Sequence, residues 1–136
     1  MKFEYLEHTA DVKFRAYGKS VEKVFENSGL ALVRSITKQR IRRRIKKEFI
    51  VKGKDLESLM YNFLEELLFL FDTSGFVLAK CRKIKIDLEK FKLETEVIGD
   101  LVGRYKFFSE IKAITYQEMF VEKVGKKWEA QVVLDV

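Results

Sequence analysis

The stretch Leu6-Glu-His-Thr-Ala-Asp-Val-Lys-Phe14 carries the only histidine of the chain, His8, and three residues later a carboxylate, Asp11. A histidine beside a carboxylate can move protons, supply half of a metal site, or hold a turn together. Nothing else in the sequence completes an enzyme around it. There is no nucleophile-elbow pattern for a Ser-His-Asp triad, and neither a P-loop nor a G-x-G-x-x-G motif is present. With one His and one Cys far apart in sequence, the soft ligand set that zinc prefers is missing. An independent enzyme built on His8 and Asp11 is therefore thinly supported.

Oxygen ligands remain. Asp11 opens one strand-like segment and Asp135 ends another, with Val136 following it. If those strands are neighbours, the two carboxylates converge, and a carbonyl or terminal oxygen of Val136 can join them. Such a set suits a hard cation such as calcium, magnesium or manganese. The plainer alternatives stand beside it: Asp next to a strand commonly serves a turn, and a lone His commonly makes a structural hydrogen bond.

A second constellation is basic. Lys38 to Lys47 reads KQRIRRRIKK, with Lys38, Arg40, Arg42, Arg43, Arg44, Lys46 and Lys47 and no acid. The chain carries +6 at pH 7, so these seven cations account for its net charge. They can attract RNA phosphates. No aromatic lies within the run to stack on a base, and a solvated, charged strand face that discourages edge pairing is an equal explanation.

The elements that must position these residues follow from periodicity. Phe3 to Glu7 and Val12 to Tyr17 alternate; Val12, Phe14 and Ala16 share one face, which predicts a half-buried strand. Ser20 caps a helix from Val21 to about Ile36. Ile41, Ile45, Phe49 and Val51 share a parity, so the basic run is expected to be a strand and its approach. Asp55 caps a second helix, Leu56 to about Phe71, with a broad apolar stripe. Phe76 to Leu88 and Phe91 to Ile98 predict a hairpin about Glu89-Lys90, and Gly99 to Gly103 a loop. Arg104 to Phe108, Lys112 to Val124 and Trp128 to Val136 complete the strands. In the last, Glu129, Gln131, Val133 and Asp135 form the outward parity. The order predicts an α+β protein, a mostly antiparallel sheet with two main helices packed on it.

At 136 residues and 47% hydrophobic, one domain spanning 1–136 with a sizeable core is expected. The chain has two Asn, three Gln and 35% charged residues, a heat-adapted composition, although the lack of Pro points the other way. Cys81 alone permits no internal disulfide and reads as a packed core residue. No apolar signal core opens the sequence, and its longest apolar run, Leu67–Phe71, is too short to span a bilayer. A cytoplasmic protein without membrane contact is the expectation.

Four segments in order resemble the archease family: YLEHTADVKFRAYGKSVEKVFENSGLAL, DLESLMYNFLEELLFLFDTSGF, EIKAITYQ and WEAQVVLDV. Gln117 stands where the family usually has His, and Asp100 where Glu is common; the basic run lies outside the signature. Archeases are accessory proteins of the tRNA-splicing RNA ligase. That enzyme joins a cyclic-phosphate RNA end to a 5′-hydroxyl end with GTP and a divalent metal. The resemblance implies an activator, not an enzyme, that promotes guanylylation and multiple turnover of the ligase. It implies a divalent-metal site at Asp11, Asp135 and Val136, with calcium first and magnesium or manganese as alternatives. It also implies that Lys112 is required. The competing expectation is an RNA-binding or chaperone-like modulator of tRNA-modifying enzymes acting through the basic 38–47 strand.

Overall fold

The computed structural model describes residues 1–8 and 11–136; Thr9 and Ala10, the middle of the His-Thr-Ala-Asp motif, lie outside the described residues. The elements run β1 (Phe3–Leu6), β2 (Val12–Gly18), α1 (Val21–Arg34), β3 (Ile45–Lys52), α2 (Leu56–Ser74), β4 (Phe76–Asp87), β5 (Lys92–Leu101), β6 (Ala113–Val124) and β7 (Lys127–Asp135). Two antiparallel sheets result, ordered β1-β2-β7-β6 and β3-β5-β4. The class is α+β, as expected, but the strands divide between two sheets.

Both helices touch both sheets: α1 packs on β2, β7 and β4, and α2 on β6, β3 and β4. Their apolar stripes therefore share one core with the inward faces of the strands. Phe14, Phe25, Leu59, Phe63, Leu64, Leu93 and Leu134 are fully buried there. The Phe25 and Phe63 rings meet edge to face at 5.8 Å between centroids, an arrangement worth about 0.5–1.5 kcal/mol beyond the area buried.

The caps behave as their residue types dictate. The Ser20 side chain accepts from Lys23 N–H, and Asp55 forms a reciprocal capping box with Ser58. The first helix ends at Arg34 and not at Ile36, because Ser35, Ile36 and Thr37 tighten into a turn bonded back to Ala31, Leu32 and Val33. The second runs three residues past Phe71 and stops at Gly75, whose φ of +61° is open to glycine at no steric cost.

Three strand expectations fail. Residues 38–44 are irregular and only Ile45 begins β3, so most of the basic run is loop. Ile41 is buried, but as the plug of that loop and not by strand alternation. Gly99 and Asp100 belong to β5, which continues to Leu101 before a short 3-10 turn at Val102–Arg104. Residues 104–108 form no strand. The Glu89-Lys90 hairpin is present, with the Asp87 carboxylate accepting from both amides.

Cys81 is buried on β4, and its amide donates to the Glu26 carboxylate at 3.0 Å. Burial first, and the Glu26 charge second, push its thiol up to about 12. Little thiolate then exists at neutral pH. Native protein should resist iodoacetamide at pH 8 and react fully in concentrated guanidinium, as read by mass spectrometry. Rapid alkylation of the native form would show that the β4 environment opens readily.

Candidate functional site at the end of the first sheet

Antiparallel pairing brings the sequence-predicted residues together. In β2 and β7 Val12 lies opposite Leu134, and in β6 and β7 Ala113 lies opposite Asp135. Asp11, immediately before Val12, therefore sits at the same end as Asp135, immediately after Leu134. Lys112, immediately before Ala113, donates its amide to the Asp135 carbonyl at 2.7 Å. Asp135 and Lys112 are exposed, and Asp11 and Val136 are partly buried. Two carboxylates and the main-chain oxygen of Val136 are hard donors, which matches the chemistry of a calcium- or magnesium-type cation. Among the described residues, no three His, Cys, Asp or Glu side chains form a metal-holding group, so such a site depends on main-chain oxygen and water to complete its shell.

His8 is bound into this end by a residue that the sequence reading did not single out. Its Nε2 lies 3.0 Å from Glu118 Oε2, and its Nδ1 3.4 Å from Asp11 Oδ2. A carboxylate accepts, so Nε2 carries the hydrogen. Lys13 Nζ reaches the other Glu118 oxygen at 3.4 Å. The Lys13 ammonium, and after it His8, hold the Glu118 carboxyl below the usual range. The structural reading of His8 is thus supported: its Nε2 ties the residues before β2 to β6.

Glu118 reaches His8 because β6 bulges between Thr115 and Phe120, where Glu118 adopts φ +53°. Its carbonyl accepts from Gln131 Nε2 at 2.8 Å, and Gln131 Oε1 accepts from Arg15 Nη2 at 2.6 Å. Arg15 also lies over the Phe120 ring at 5.5 Å. This network packs over Gln131 on the outward face of β7; Gln131 and Val133 are both buried although alternation predicts them outside. Gln131 and Val133 were legible as one face of the last strand; Glu118 was not, because a bulge breaks the period that would have placed it. Gln117, beside it, is exposed, and its amide donates to Thr115 Oγ1.

The basic residues are dispersed. Arg44 Nε meets Asp100 Oδ2 at 3.4 Å, and Lys46 meets Glu96 at 3.1 Å. Lys47 is partly buried on the helix-facing parity of β3. Lys38, Arg40, Arg42 and Arg43 are exposed on the loop. Asp100 is nearly inaccessible, which works to raise its pKa. The Tyr105 hydroxyl, the Leu101 amide and the Arg104 and Arg44 guanidiniums outweigh that and hold it below the usual range.

These features define a small α+β protein with an acidic and lysine-bearing end on its four-stranded sheet, and no helix among the described residues long and apolar enough to cross a membrane. The chain matches the model of the archease protein family (MTH1598/TM1083) over residues 3–136, and it belongs to the archease family. It is 39% identical over 140 residues to the protein archease of Methanosarcina mazei, across 99% of this chain and 96% of that one. It is 38% identical over 143 residues to the protein archease of Pyrococcus abyssi, across 99% of each. The solution structure of Methanobacterium thermoautotrophicum protein 1598 superposes with a TM-score of 0.82 at 31% identity, over 98% of each chain. A Thermotoga maritima structure, described as an archease and possible chaperone, shares the fold with a TM-score of 0.64 at 22% identity, over 98% of this chain and 96% of that one.

Proposed function

We propose that this protein is an accessory factor of the tRNA-splicing RNA ligase, acting without catalysis of its own to promote GTP-dependent guanylylation of the ligase and its repeated turnover. The observation that carries the reading is the convergence of Asp11, Asp135 and Lys112 on one end of the β2-β7-β6 ladder. Asp11, Asp135 and the main-chain oxygen of Val136 would hold a divalent cation, calcium first. When bound, the cation supplies positive charge against a triphosphate or its leaving group. Lys112, exposed on a flexible stem beside that site, can neutralise phosphate charge as it develops during nucleotidyl transfer. The His8–Glu118–Lys13 bridge ties residues on either side of Asp11 to β6, so that the acidic end is set before any partner arrives.

A cytoplasmic location fits this role. A chaperone-like modulation of tRNA-modifying enzymes would need a continuous apolar surface; the exposed apolar side chains include Ile50 on β3, Phe69 on α2, and Tyr116 and Val124 on β6.

The test is guanylylation of the cognate ligase with labelled GTP under multiple turnover, with and without this protein. Stimulation beyond the first turnover is expected, and it should weaken when divalent cations are removed from this protein by chelation and dialysis beforehand. An active ligase that shows no stimulation would overturn the assignment.

A further inference from the structure

The arginine-rich loop before β3 is not absorbed by the acidic end of the first sheet. We infer that Lys38, Arg40, Arg42 and Arg43, with Arg34 and Lys2 beside them, form a binding surface for single-stranded RNA, and that Phe108 is its base-stacking platform.

Charge is the first argument. Of the seven cations between Lys38 and Lys47, Arg44 and Lys46 are taken by Asp100 and Glu96. Lys38, Arg40, Arg42 and Arg43 have no acidic partner within 4 Å among the described residues, and all four are exposed. Two clefts adjoin them. One, of about 630 Å³, is lined by residues 40–43 alone. The other, of about 300 Å³, sets Lys2, Arg34, Arg40 and Arg43 around apolar side chains that include Leu30 and Val33. Neither is lined by any acid.

The second argument is rigidity. Ile41 anchors the loop in the core. Arg34 Nη1 donates to the Gln39 carbonyl at 2.6 Å, and Gln39 Oε1 accepts the Lys106 amide at 2.6 Å. The Arg42 amide donates to the Tyr105 hydroxyl at 2.9 Å, which itself donates to Asp100 at 2.6 Å. The Arg44 amide donates to the Gly99 carbonyl at 2.8 Å. The guanidiniums thus leave a fixed backbone, and their planar forks match phosphate oxygens two at a time.

The third argument selects the partner. Sequence places no aromatic inside the basic run, but the fold brings one to it. The Phe108 amide donates to the Ile36 carbonyl at 2.9 Å, two residues before Lys38, and Phe108 is 62% exposed. Residues 105–108 run along the basic loop through the Phe108–Ile36, Lys106–Gln39 and Tyr105–Arg42 bonds, and an exposed aromatic carried alongside a run of cations is what a splayed base and its phosphate use. An acidic protein surface would use the cations and leave Phe108 unexplained.

The experiment is fluorescence anisotropy of a dye-labelled, mixed-sequence single-stranded RNA with the full chain over a salt series. Contact with about four phosphates predicts a slope of log affinity against log salt near −3, from about 0.7 per phosphate on a single strand. Replacing Arg40, Arg42 and Arg43 together by Gln should lower affinity at least tenfold and flatten the slope by about 2. Phe108→Ala should weaken binding severalfold at an unchanged slope. A control of equal charge change, Lys123, Lys126 and Lys127 to Gln at the exposed β6–β7 turn, should bind as wild type. Equal loss in both triple variants, or no RNA binding at moderate salt by the folded wild type, overturns the proposal. So does equal affinity for poly-glutamate with no effect of Phe108→Ala, which would mark an acidic protein as the partner. The ligase is absent from this assay, so the result is independent of the proposed accessory role.

Discussion

Gly99→Ala should cost more stability than any other single methyl added to this protein. A Cβ built at Gly99 would lie 1.9 Å from the Val77 carbonyl oxygen and 2.9 Å from its carbonyl carbon and from Phe76. The two Val77 atoms are main chain of β4, the strand on which β5 is laddered, with Leu78 opposite Gly99 and Val77 opposite Asp100, while the Phe76 atom is the ring Cζ. No rotamer change relieves a clash with backbone, so the two strands must part there. The register irregularity of β4 between Leu78 and Lys80 begins at this point, which shows how closely the chains approach. Separation would also disturb the Arg44–Gly99 hydrogen bond that starts β3 and the burial of Asp100 beside it. A loss above about 4 kcal/mol is expected, against about 5–15 kcal/mol of total stability for a domain. Gly103→Ala, where an added Cβ meets nothing within 4 Å, should stay within about 0.5 kcal/mol of wild type. Urea denaturation of the two variants side by side decides it. A Gly99→Ala midpoint close to that of Gly103→Ala would mean that β4 and β5 do not approach as described.

Much of the architecture was legible because each element carries its own punctuation. Ser20 and Asp55 start their helices by accepting amides that nothing else satisfies, and Gly75 ends the second by adopting a conformation other residues avoid. The basic run misled for a physical reason. Ile41, Ile45, Phe49 and Val51 have the even spacing of a strand face, but a loop that inserts one anchor into the core produces the same pattern. Only the hydrogen bonds of residues 39–44 to Arg34 nearby and to Tyr105, Lys106 and Gly99 far along the chain separate the two cases. Gly99 and Asp100 looked like a loop because Gly and Asp mark turns. Here the glycine serves close strand approach, and the aspartate is buried by a tyrosine and two arginines.

At the acidic end, Asp11 and Asp135 could be paired in advance because two strands with complementary alternation, one opening on Asp and one closing on Asp, place them together only if antiparallel. Lys112 came from the family resemblance alone; its place beside Asp135 follows from the β6–β7 register, which sequence does not state. Glu118 was illegible because its role depends on a bulge and on a positive φ that no residue type there announces.

That register makes the carboxylate and the lysine separable. The Asp135 side chain is exposed, and its carbonyl, not its carboxylate, accepts the Lys112 amide. Asp135→Ala therefore removes one candidate ligand while leaving the ladder intact, and its urea midpoint should match wild type. Calcium affinity measured by titration calorimetry should fall by more than the roughly 10–100-fold that loss of an outer-shell partner costs. Stimulation of ligase guanylylation should fall with it. Lys112→Ala should leave both the midpoint and calcium affinity unchanged and lose stimulation alone, because the ammonium acts on phosphate and not on the cation. The two variants thus share one readout and differ in the other. Full stimulation by Asp135→Ala would sink the metal-site account. Loss of calcium binding in Lys112→Ala, together with a lowered midpoint, would instead show that Lys112 supports the β6–β7 end and has no part in charge neutralisation.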